Sequence, residues 1–93
     1  MIVNINEKAY ESKPVKARMF RKAIELTELF DLENLKSKDL DAMIDFFVES
    51  YDFQFTRDEV YDGLESTKLM PTLTERITEI VGTIKNKLES KNV

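Results

Sequence analysis

A chain of 93 residues has room for one hydrophobic core, and with 42% hydrophobic and 34% charged residues it buries enough apolar surface to offset the entropy of ordering. It contains no Cys and no His, which excludes thiolate catalysis, Cys-type zinc sites and disulfides, and removes the usual proton shuttle and nitrogen metal ligand. The formal charge of −4 is unevenly spread: residues 1–25 hold six basic and three acidic side chains (+3), 26–67 three and twelve (−9), and 68–93 five and three (+2). An acidic middle between basic ends suits steering of partners or head-to-tail pairing of copies, against the plainer reading of solvated helix faces.

The opening Met1-Ile2-Val3-Asn4-Ile5 has neither the basic start nor the long apolar core of a secretory signal, and no window approaches the ~20 apolar residues of a membrane span. A soluble chain that stays in the cytoplasm is expected. The chain reads as one domain over 1–93, mainly α, a compact bundle of about four helices with a short N-terminal β strand or hairpin over residues 1–12. In that segment Ile2, Val3 and Ile5 are β-branched, and Asn6 and Glu7 are turn-compatible.

Ser12 as cap and Pro14 in the first turn predict a helix over 14–30, with Met19, Phe20, Ala23, Ile24, Thr27 and Phe30 as its buried stripe. Ser37 is expected to cap a second helix, 38–51, with Asp39 and Asp41 near its positive end. Its wide apolar face comprises Leu40, Met43, Ile44, Phe47, Val48 and Tyr51, broadened by Phe46. Thr56 and Glu59 form a capping box and Phe55 and Val60 a hydrophobic staple, opening a short helix over 57–64 that Gly63 is expected to close in the left-handed conformation. Pro71 in the first turn predicts a last helix over 71–89, its apolar face Leu73, Ile77, Ile80, Val81, Ile84 and Leu88.

Candidate chemistry is weak everywhere. Asp58, Asp62 and Gly63 fit the first, fifth and sixth positions of an EF-hand loop, but Val60 and Leu69 stand where the third-position oxygen and the bidentate Glu are needed. Asp39, Asp41, Asp45 and Glu49 give i, i+4 carboxylate pairs that a solvated helix face explains without a site. The only glycines, Gly63 and Gly82, form no phosphate loop. The expectation is no catalytic residue, no cofactor, no metal and no enzyme. Lys13, Lys16, Arg18, Arg21 and Lys22 keep open a small helical regulatory or nucleic-acid-associated protein, against which stands the acidic balance, pI ≈ 4.9.

Protein binding fits better, because Phe30, Phe46, Phe47, Tyr51, Phe53, Phe55, Tyr61, Leu64 and Met70 are more bulky apolar side chains than four short helices need. The residues named as a candidate protein-binding surface are Phe46, Phe53, Phe55, Asp58, Tyr61, Asp62, Leu64 and Met70. Nothing in the residues fixes the oligomeric state, and self-association is left open.

Three runs carry a resemblance: Val15-Lys16-Ala17-Arg18-Met19-Phe20-Arg21-Lys22-Ala23, Leu40-Asp41-Ala42-Met43-Ile44-Asp45-Phe46-Phe47-Val48, and Phe55-Thr56-Arg57-Asp58-Glu59-Val60-Tyr61-Asp62-Gly63-Leu64, with Leu69-Met70-Pro71 downstream. Together they resemble the tail assembly chaperones of siphophages, and their prophages, of Gram-positive bacteria. The resemblance implies a nonvirion protein of the host cytoplasm that binds the long helical tape measure protein, keeps it soluble and helps recruit tail tube subunits. It also implies a translational frameshift that yields a longer product, through which the tube protein would be met; this chain looks like the short product.

Overall fold

The structure, a computed structural model, describes the backbone of residues 1–29 and 31–91, and the side chains of these up to Gly82 apart from Leu32. The chain begins with an antiparallel hairpin, β1 (Ile2–Ile5) and β2 (Lys8–Glu11), paired in the register Ile2↔Glu11, Val3↔Tyr10, Asn4↔Ala9 and Ile5↔Lys8. Asn6 and Glu7 join the strands with φ of 54° and 66°. Two consecutive left-handed residues match the right-handed twist of a two-residue hairpin turn. Strand alternation turns Val3, Ile5 and Tyr10 into the core and leaves Ile2 63% exposed.

Four α-helices follow: α1 (Ala17–Leu29), α2 (Ser37–Ser50), α3 (Arg57–Gly63) and α4 (Ser66–Lys91), with a short 3₁₀ turn at Leu32–Asn34. Helix α2 packs against α1, α3 and α4, and α3 also touches β1. This central position explains its breadth of apolar surface: Met43, Ile44, Phe46, Phe47 and Val48 are all buried, and Tyr51 just beyond its end is 0% exposed. The aromatic rings of Tyr10, Phe47, Tyr51 and Phe55 meet at centroid separations of 4.9 to 5.6 Å, joining hairpin, α2 and the α2–α3 connection in one cluster. No helix of the described residues is long and apolar enough to cross a membrane.

Several boundaries and faces differ from those read in the sequence. Helix α1 starts at Ala17, after Pro14; the Ser12 hydroxyl, expected to cap it, instead accepts from the Met1 ammonium at 2.9 Å. The buried stripe of α1 is Met19, Ala23 and Leu26, while Phe20 and Ile24 are half-buried and Thr27 is exposed, its hydroxyl donating to the Ile24 carbonyl at 2.7 Å. The helix is thus rotated from the expected face, because Leu26 packs in the place assigned to Thr27. Phe30 lies outside the described residues, as do the side chains of Ile84 and Leu88.

Ser37 is the first helical residue of α2 and not its cap. Lys36 holds that position, and the Asp39 carboxylate reaches back to accept from the Lys36 N–H at 3.2 Å. At α3 the capping box forms as read: Thr56 Oγ1 accepts from the Glu59 N–H and Glu59 Oε1 from the Thr56 N–H, both at 3.1 Å. Phe55 and Val60 are buried on either side of it.

Gly63 does not take the left-handed conformation, since no glycine has positive φ. It ends α3 in helical geometry, and Leu64 leaves extended at φ −107°, ψ 139°. Helix α4 begins at Ser66, so Pro71 lies inside it and not in its first turn. Lacking an N–H, Pro71 withholds the helical bond due to the Thr67 carbonyl, a loss confined to the helix's opening turns. Leu69 and Met70, both packed against the core, extend the helix backwards past the proline.

Candidate protein-binding surface

The eight residues proposed from the sequence separate into different environments. Phe46 and Phe55 are core residues, 5% and 2% exposed, because α2 and the α3 staple turn both rings inward. Phe46 forms part of the floor of a shallow cleft of about 320 Å³ between α1 and α2, beside the 77% exposed Leu29. Leu64 and Met70 are half-buried against the core. Asp58, Asp62 and Phe53 stand on the surface.

Tyr61 is 37% exposed, and its hydroxyl donates a short hydrogen bond to Asp41 Oδ1 on α2. Beside it, the Arg57 guanidinium donates to both Asp45 oxygens at 2.8 and 2.6 Å and lies 3.8 Å from Asp41. Of the α2 carboxylates that looked like paired acids, Asp41 and Asp45 are therefore anchors for α3. Glu49 accepts from Lys22 Nζ at 2.7 and 3.1 Å, and so joins α2 to α1. No group of three or more carboxylates that could hold a metal ion occurs among the described residues.

Electrostatics at this anchor follow from the contacts. Hydrogen bonding from Arg57 holds the Asp45 carboxyl below its ordinary value of 3.8, with burial opposing and the Arg57 charge assisting. The Tyr61 phenol is pushed up to about 12, by burial first and then by Asp41, so it remains a donor at any physiological pH. A carboxyl whose pKa is depressed on folding stabilises the fold above the unfolded-state value and loses that contribution as pH falls through the folded value. The Asp45 carboxyl resonance, followed by NMR, is expected to titrate below 3.8 and to return toward it in Arg57→Ala. Titration at the ordinary value in both proteins would mean that Arg57 does not anchor α3.

Phe53 occupies different surroundings. After α2 the chain passes through Asp52 and Phe53 with φ of 57° and 56°, two consecutive non-glycine residues in the left-handed region. Each costs on the order of 1 kcal/mol there. Hydrogen bonds from the Asp52 N–H to the Glu49 carbonyl at 3.0 Å and from the Phe53 N–H to the Val48 carbonyl at 3.1 Å hold the bend, while Gln54 Nε2 ties its far side to the Glu11 carbonyl at 2.9 Å. The bend leaves Phe53 69% exposed.

Phe53 lines a groove of about 450 Å³ between the segment entering α1 and the end of α2. One wall carries Lys13, Pro14, Val15, Lys16, Arg18 and Met19, and the other Glu49, Ser50 and Asp52. Met19 is the buried floor and Val15 is half-buried. Arg76 of α4 crosses beneath: although only 3% exposed, it donates to Ser50 Oγ at 3.0 Å, to the Ser50 carbonyl at 2.9 Å and to the Lys13 carbonyl at 3.4 Å, and pairs with Glu79. Its guanidinium also lies 5.3 Å from the centre of the Tyr51 ring. Sequence reasoning passed over Arg76. The signal it missed was a cation between Leu73 and Ile80, three residues from the first and four from the second, on the buried face of α4.

The arrangement is thus a small helical bundle strapped by a hairpin, with an ion-paired α2–α3 face and a part-apolar groove with a basic wall. A family model described as phage tail chaperone protein matches residues 1–93, and the chain belongs to that family. Neither a curated protein nor a solved structure matches it.

Proposed function

We propose that the protein binds the tape measure protein of a siphophage tail, keeps it soluble, and helps bring tail tube subunits to it. What carries this reading is the family match over all 93 residues. The surface supports it, because Phe53 stays exposed in a strained bend while the aromatic rings around it close into the core. A tape measure protein is a long helical chain, and exposed apolar side chains beside a groove suit an amphipathic helix. Several copies along one extended client would gain avidity from linkage, so each contact can stay weak enough for release as the tube grows.

On this reading the protein acts as one domain in the host bacterial cytoplasm, is not part of the mature virion, and meets the tube protein through a longer, frameshifted form. The acidic middle of the chain, −9 over residues 26–67, keeps the loaded complex soluble and orients the encounter. Co-expression with a siphophage tape measure protein is expected to move that protein from the pellet to the soluble fraction and to co-purify the pair. A folded chaperone that leaves the tape measure protein insoluble, and associates with no tail component, would overturn the reading.

A further inference from the structure

We propose that the groove beside Phe53 is the client site, and that it selects an amphipathic helix whose apolar ridge is flanked by carboxylates. This deepens the tape measure reading above and rests on it.

Charge is the first argument. The chain carries −4 overall, yet the groove's α1-side wall presents Lys13, Lys16 and Arg18, none of which makes an ion pair among the described residues. On the opposite wall Glu49 is already held by Lys22 at 2.7 Å, leaving Asp52 as the one unpaired carboxylate. A local cationic excess on an acidic molecule attracts acidic flanks and disfavours a basic partner.

Shape and rigidity supply the second. Val15, Met19 and Phe53 give the groove an apolar lining, which a ridge of apolar side chains would cover and a phosphate backbone would not. Arg76 binds the Lys13 carbonyl of one wall and Ser50 of the other, so the walls are spaced before a partner arrives.

The third is the bend. A left-handed pair at Asp52 and Phe53 lowers stability, and a bulky aromatic residue is poorly suited to that conformation; Asn or Gly would relieve it. A Phe there, 69% exposed, is accounted for by what the ring contacts in the complex.

The test is fluorescence anisotropy with a synthetic helical peptide of about four turns, carrying Leu at i, i+3, i+4 and i+7 and Glu at the flanking positions, beside a twin with Lys for Glu. The Glu peptide is expected to bind at least about tenfold more tightly than the Lys peptide, and Lys16→Glu/Arg18→Glu to reverse that order. Phe53→Asn should weaken the Glu peptide at least about tenfold while the thermal midpoint rises, separating loss of contact from loss of fold. Equal binding of both peptides, full binding by Phe53→Asn, or displacement of the peptide by duplex DNA would overturn the assignment, the last giving the basic wall to phosphates. If the tape measure protein still co-purifies with the groove variants, this inference falls and the chaperone reading survives. If the Glu peptide binds the groove but the tape measure protein does not co-purify, the groove stands as a peptide site and the tape measure reading falls.

Discussion

Arg76→Ala is expected to destabilise the protein by about 3 kcal/mol, a fall of roughly 12 to 24 °C in the thermal midpoint of a domain this size. Helix α2 has no basic residue in its last turn, and the carbonyl of its final residue, Ser50, is buried. Arg76, reaching from α4, supplies the missing positive charge and donors: one nitrogen meets the Ser50 carbonyl at 2.9 Å and another the Ser50 hydroxyl at 3.0 Å, which itself donates to the Phe47 carbonyl at 2.7 Å. Removing the side chain leaves a buried carbonyl without its donor, opens a void under Tyr51 and frees the Lys13 segment. Glu79 loses less, because its side chain is 39% exposed and water can replace the guanidinium.

Arg76→Lys should recover only part of this, since an ammonium cannot serve Ser50 and Lys13 together in a fixed fork. Arg76→Met restores packing without donors, and its remaining deficit measures the polar part. A double-mutant cycle of Arg76→Met with Ser50→Ala, followed by urea unfolding, should give coupling of roughly 1 to 2 kcal/mol. Additive effects would show that Arg76 acts through packing alone. The groove beside Phe53 should also loosen in Arg76→Met, because the same guanidinium spaces its walls.

Features written within a few residues were legible in the sequence. The hairpin follows from Ile2, Val3 and Ile5 around Asn6 and Glu7; the capping box follows from Thr56 and Glu59; the apolar face of α2 is dense enough to survive any small error in register. Features set by another part of the chain were not. Pro71 signals a helix start locally, but Leu69 and Met70 pack on the core and draw α4 back to Ser66. Thr27 and Leu26 are neighbours on α1, and only contact with α2 and α4 decides that Leu26 goes inside.

The candidate surface shows the same division. Bulk and hydrophobicity nominate Phe46, Phe53 and Phe55 alike, yet Phe55 completes a staple, Phe46 faces α1, and only Phe53 is turned outward by a left-handed bend that no residue type at Asp52 or Phe53 announces. Tyr61 looks like a free aromatic until Asp41 and Arg57, twenty and four residues away in sequence, are placed beside it. Arg76 reads as one more surface charge until the α2 terminus above it supplies a reason for burial.

Gly63→Ala separates two physical roles for the same glycine, because they predict opposite signs. In a helix, Ala is favoured over Gly by roughly 0.5 to 1 kcal/mol, and Gly63 lies in α3 without a positive φ, so propensity alone predicts a more stable protein. Space predicts the reverse. A Cβ at this position would lie 2.5 Å from Ile5 Cγ2 and 3.0 Å from both Cγ and the backbone N of Asn6. Ile5 is 1% exposed and β-branched, so its methyl has no free rotamer to move into, and the Asn6 backbone is fixed by its hairpin turn and by the Asn6 N–H donated to the Gly63 carbonyl at 3.3 Å. Overpacking of this kind costs about 1 to 3 kcal/mol, which exceeds the propensity gain. The net expectation is destabilisation with a local signature: amides of β1 and β2 exchange faster than those of α2 and α4, as the hairpin lifts from α3. Ile5→Val removes a methylene but keeps Cγ2, so it should rescue Gly63→Ala only in part, whereas Ile5→Ala should relieve the clash at the expense of the core. A Gly63→Ala protein with a raised midpoint and unchanged exchange in the hairpin would show that β1 and α3 are not in close contact in solution.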